Sequence, residues 1–75
     1  MEDEYLEEAG EPFTVSNEFA TVRITKVHTR NGERLMIEAP RLGHMILLDS
    51  LELESISWQP PETFSKFLET PFGPL

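Results

Sequence analysis

From Thr21 to His28 the chain runs through Val22, Ile24, Thr25 and Val27 with no Gly or Pro. β-branched residues fit the pleated surface of a strand, so the pattern predicts one here. Arg30-Asn31-Gly32-Glu33 follows, and Asn-Gly is the strongest short signal for a hairpin, because a type I′ turn needs positive φ at both central residues. Arg34 to Ala39 is then the return strand, ended by Pro40. A two-residue turn at Asn31-Gly32 pairs Arg30 with Glu33, His28 with Leu35, Lys26 with Ile37 and Ile24 with Ala39. On that register Ile24, Ile37 and Ala39 form the core face. Val27, Met36, Thr25 and Glu38 share the other, and Arg30–Glu33 is an exposed ion pair.

The flanks are read in the same way. Residues 1–12 are dense in acids and are broken by Gly10 and Pro12, which predicts an acidic flexible tail. Phe13 to Val15 reads as a short strand closed by Ser16-Asn17. After the Arg41-Leu42-Gly43 turn, His44 to Leu48 reads as a third hairpin strand. Leu51 and Leu53 alternate with Glu52 and Glu54, which predicts a fourth, with a β-bulge near Glu54-Ser55 where the apolar phase slips to Ile56 and Trp58. Pro60-Pro61 stops the sheet. Glu62 to Glu69 predicts a short helix with Phe64, Phe67 and Leu68 on one stripe. The expected fold is mainly β, a small antiparallel meander or partial barrel of three to five strands with one short C-terminal helix, and residues 13–75 form a single domain.

Seventy-five residues bury only about 60% of the unfolded surface, so the core is thin. With no Cys, disulfides and thiolate metal sites drop out. Met1 precedes Glu2, Asp3 and Glu4, unlike the basic start of a signal peptide, and the longest aliphatic run is Met45 to Leu48. A soluble, cytoplasmic protein is expected. The net charge of −8 divides unevenly: −7 over residues 1–18, +3 over 19–48 and −4 over 49–75.

Few residues suggest chemistry. Four scattered glycines make no dinucleotide-binding turn, and Ser50, Ser55 and Ser57 lie in no nucleophile motif. His28 and His44 have no metal-ligand spacing, and a site built from them needs both strands to flank a common partner. Glu52 and Glu54 on one strand face resemble a glycosidase pair, yet like charges there also guard a sheet edge against aggregation. The basic residues Arg23, Lys26, Arg30, Arg34 and Arg41 make the hairpin 23–41 a candidate nucleic-acid contact, although no aromatic residue lies between Val22 and Ile56 to stack a base. No catalytic residue, cofactor or metal is assigned.

The stretches Thr29 to Leu35, Pro40 to Gly43, Leu51 to Ser55 and Trp58 through Thr70-Pro71-Phe72-Gly73-Pro74 resemble a family of short bacterial proteins called dihydrodiol dehydrogenases. The resemblance implies oxidation of an aromatic diol with a nicotinamide cofactor. This chain lacks the glycine-rich turn and the Tyr-xxx-Lys pair of such enzymes, since Tyr5 is followed four residues later by Ala9. The setting alone carries over, that of a small companion of oxidative or aromatic-catabolic enzymes. The expected function is a non-catalytic accessory or regulatory subunit that binds a larger protein through Trp58, Phe64, Phe67, Leu68 and Phe72. Arg23, Arg30, Arg34 and Arg41 form a secondary basic face. Nucleic-acid binding and a small metal or catalytic protein are the alternatives, and homo-oligomerisation stays open.

Overall fold

The computed structural model describes residues 6–69. Five strands, β1 (Leu6–Glu8), β2 (Phe13–Ser16), β3 (Thr21–Thr29), β4 (Gly32–Ala39) and β5 (His44–Asp49), precede two short helices, α1 (Ser50–Ile56) and α2 (Glu62–Phe67). All strand pairs are antiparallel in one open sheet. The protein is therefore mainly β, as its strand pattern predicts. No helix among the described residues is long and apolar enough to cross a membrane.

β1 and β2 pair with the same edge of β3. Glu8 faces Val27 and Phe13 faces Ile24, so the edge advances five residues while β3 advances three. The two extra residues form a bulge around Gly10-Glu11-Pro12, and Pro12 is tolerated because it sits on an edge. Residues 6–8 thus belong to the sheet rather than to the acidic tail. Residues 1–5 of that tail lie outside the described residues.

The central hairpin closes one residue earlier than Asn-Gly predicts. Thr29 pairs with Gly32, leaving Arg30 and Asn31 in the turn. No non-glycine residue described has positive φ, whereas Gly32 sits at +122°, so the turn is not type I′. Thr29 explains the shift. Its hydroxyl accepts from the Asn31 N–H at 3.2 Å and donates to the Gly32 carbonyl at 3.0 Å, stabilising the earlier closure. Ile24 consequently faces Ile37 and His28 faces Glu33. The expected Arg30–Glu33 pair does not form. Glu33 instead meets Lys26 at 3.2 Å and His28 at 3.9 Å.

Moving the register by two residues leaves every side chain on its predicted face, because the side-chain period is two. The buried face is the other one, however. Val27 (0% exposed), Thr25 (1%), Thr29 and Met36 are the buried residues, and all lie opposite the Ile24 face. Both faces carry apolar residues, so alternation does not decide between them.

The predicted fourth strand is also replaced. Residues 50–56 are α1, with no β-bulge near Glu54-Ser55. Asp49 accepts from the Glu52 N–H at 2.8 Å while Glu52 accepts from the Asp49 N–H at 2.9 Å. This reciprocal capping box satisfies two backbone donors at the helix start. It is worth more to the chain than the strand-like alternation of Leu51, Glu52, Leu53 and Glu54.

Candidate interaction site

The C-terminal arm begins where α1 leaves β5. Leu53 reaches back to share a small pocket with Lys26 and Leu35 at one end of the sheet. Beyond it the chain turns away. Ser55 and Ser57 donate to the carbonyls three residues earlier, and Gln59 donates to the Ser55 carbonyl at 3.3 Å. Thr63 donates to Gln59 Oε1, so Gln59 joins the end of α1 to the start of α2 across Pro60-Pro61.

Among the described residues, α1 packs on β5 whereas α2 has no comparable packing against any strand. Its apolar stripe is accordingly exposed: Phe64 41%, Phe67 64% and Leu68 68%. Phe64 and Phe67 meet edge to face, with ring centres 5.6 Å apart. Trp58, in the turn after α1, is 69% exposed, and Leu51 and Ile56 are exposed as well. A six-residue helix has little stability of its own in water, so an uncovered aromatic stripe on it costs solvation without return. Trp58, Phe64, Phe67 and Leu68 all lie exposed along this arm, and the ring contact within it joins Phe64 to Phe67. Phe72 lies outside the described residues.

The other candidates are not assembled. Arg23 and Arg34 lie on the Val27 face, Arg30 in the hairpin turn, and Arg41 at the opposite end of the sheet. Arg23 is held at 2.7 Å by Glu38, its direct cross-strand neighbour. The hairpin therefore presents no single basic face to a phosphate backbone. His44 stands level with Val22 through Ala39, whereas His28 is six residues further along β3. At the rise of a strand this separates the two by about 20 Å, too far to share a metal. Glu52 and Glu54 are not on a strand. Two apart on a helix, they do not face each other, and Glu52 serves the cap.

The sequence does carry one signal for the arm. Asp49-Ser50-Leu51-Glu52 is a helix-start pattern, and it competes with the two-residue alternation that follows. The large sheet row on the Ile24 face was not anticipated as a surface. Phe13, Ile24, Ile37 and Ile46 stand opposite one another across four strands, and Phe13 and Ile46 are 57% and 53% exposed.

No protein-family model matches the chain, and neither a curated protein nor a solved structure matches it significantly.

Proposed function

We propose that this chain is a cytoplasmic, non-catalytic binding subunit that attaches to a larger protein through its C-terminal arm. The observation that carries the reading is the exposure of Trp58, Phe64, Phe67 and Leu68 on a helical segment that no strand of the sheet covers. Large aromatic side chains clustered in this way are the usual anchors of protein interfaces, because each one desolvates a wide apolar area at low entropic cost. Along the chain the arm carries four acids, Glu52, Glu54, Glu62 and Glu69, against one base, Lys66. A partner surface that is apolar and carries basic residues suits this balance. The resemblance to dihydrodiol dehydrogenases makes an oxidative, aromatic-degrading enzyme the first class of partner to test.

The experiment uses the full chain as bait in lysate of its native cell, beside a Trp58→Ser/Phe67→Ser variant. A protein held by the wild type and lost from the variant is then purified and titrated directly. Specific binding that the double substitution weakens by at least tenfold supports the proposal. Equal capture by both baits, or none by either, overturns it.

A further inference from the structure

We propose that the groove between the β2–β3 loop and the β4–β5 turn binds a small monocarboxylate with an apolar body, and that the Arg41 guanidinium receives its carboxylate. The groove is at the end of the sheet away from α1. Leu53 of α1 packs beside Lys26 and Leu35, whereas the groove is lined at the Val22 end of β3. Four residues of strand, about 13 Å, separate Val22 from Lys26.

Local hydrogen bonds set both walls. The Asn17 side chain accepts from the Phe19 and Ala20 N–H groups at 2.8 and 3.0 Å, and the Asn17 N–H donates to the Ala20 carbonyl at 2.9 Å. This closed loop carries Phe19. On the other side Leu42 and Gly43 donate to the Ala39 carbonyl at 3.0 and 2.9 Å, with Gly43 at a φ of +76°. That turn carries Arg41 and Leu42. Arg23 pairs with Glu38, so Val22 and Ala39 come next along the two strands and form the floor. The groove is thus built by the fold and needs no rearrangement to admit a ligand.

Its size and charge select the ligand class. The volume is about 310 Å³, at the lower end of the range of about 300–1,000 Å³ for small-molecule sites. Phe19, Val22, Ala39 and Leu42 give it apolar walls, and Phe19 is 81% exposed, so an apolar body laid there shields a ring from water. Arg41 is the one charged residue of the lining. Among the described residues its side chain makes no ion pair or hydrogen bond. Glu38, close to it along the chain, is taken by Arg23 at 2.7 Å, and Glu18 in the facing loop forms no ion pair with it. Thr21 also lines the groove, and its hydroxyl has no partner among the described residues, which leaves a second donor there. A lone guanidinium beside apolar walls complements one negative charge on an apolar body. A phosphate or a dicarboxylate would set further charge against those walls, on a chain whose net charge is already −8.

Amide chemical-shift titrations of the full chain test this at about pH 7, where a carboxylic acid is ionised and an alkylamine protonated. The probes are octanoate and cyclohexanecarboxylate, each beside the alcohol and the amine of the same carbon skeleton. A carboxylate should shift residues 19–22 and 41–43 saturably, with a Kd of about 1 mM or below. It should bind about tenfold or more tighter than its alcohol, and the amine should not bind there. Arg41→Gln should remove that tenfold advantage and leave the alcohol unchanged, whereas Phe19→Ser should weaken both. Trp58→Ser/Phe67→Ser should leave the groove's affinity as it is, so the result is independent of any partner of the arm. Failure of both carboxylates to bind the groove overturns the proposal. Equal affinity for acid and alcohol does so too, as does Arg41→Gln binding the acid like the wild type. Shifts that centre on the arm instead are unspecific apolar binding and also refute it. Phe19 and Arg41 are exposed, and the amide spectrum itself reports whether a variant is folded. Should one unfold, the comparison of acid, alcohol and amine on the wild type still decides.

Discussion

Thr25 and Thr29 sit two residues apart on one strand, both buried, and substitution by Val should move stability in opposite directions. The Thr25 hydroxyl is buried and, among the described residues, finds no hydrogen-bond partner. Removing an unpaired polar group from water costs about 1–3 kcal/mol in folded proteins, and Thr25→Val abolishes that cost while keeping the β-branched shape. A net gain of about 1 kcal/mol is expected, in a domain whose whole stability is of order 4–11 kcal/mol. For a chain of this length that raises Tm by about 4–8 °C. Thr29 is the internal control. Its hydroxyl makes two hydrogen bonds that close the hairpin, so Thr29→Val should cost about 1–2 kcal/mol. Urea unfolding followed by circular dichroism measures both, at one protein concentration so that any self-association is held constant. If Thr25→Val lowers the midpoint, or if the two variants shift it the same way, the hydroxyl of Thr25 is satisfied and the reasoning fails.

Three further outcomes follow from local geometry. Asp49→Ala should cost about 1 kcal/mol and reduce the helical signal, whereas Glu52→Gln, which can still complete the capping box, should be nearly neutral. Gly32→Ala meets no atom within 4 Å of the new Cβ, yet a φ of +122° strains any L side chain. A loss of about 1–3 kcal/mol in chemical unfolding is expected, and a neutral result would show that the turn relaxes. A double-mutant cycle of Arg23→Ala and Glu38→Ala should give a coupling below about 1 kcal/mol that shrinks in high salt, since the pair is only part-buried.

The elements that local chemistry dominates were legible in the chain. β3 follows from its β-branched run, and β4 and β5 from the short apolar runs set off by Asn31-Gly32 and by the turn at Pro40 to Gly43. There, Leu42 and Gly43 both donate to the Ala39 carbonyl. The Asn17 side chain closes the β2–β3 loop by accepting from Phe19 and Ala20, as the break at Ser16-Asn17 suggests. The hairpin register was legible only to within two residues, because the Asn-Gly code says nothing about the Thr29 hydroxyl beside it. At residues 50–56 two local signals conflict. The capping box prevails over alternation because it satisfies backbone donors, whereas alternating Leu and Glu help only a strand that has a neighbour to pair with.

The candidate site divides along the same line. Trp58, Phe64, Phe67 and Leu68 were visible as an apolar cluster near the C-terminus, and their spacing placed the last three on one stripe of α2. Whether that stripe would lie on the sheet or stand away from it depended on where α1 directs the chain. By itself, the sequence determined a mainly antiparallel sheet, the place of its central turn to within a residue, and which side chains share a face, since strand period and turn chemistry act over a few residues. Only the tertiary structure decided that Val27 rather than Ile24 is buried, that Phe13 and Ile46 are left exposed, and that α2 stands off the sheet while α1 packs on it. Burial depends on what packs against a face, and when both faces are apolar nothing along the strand expresses that choice.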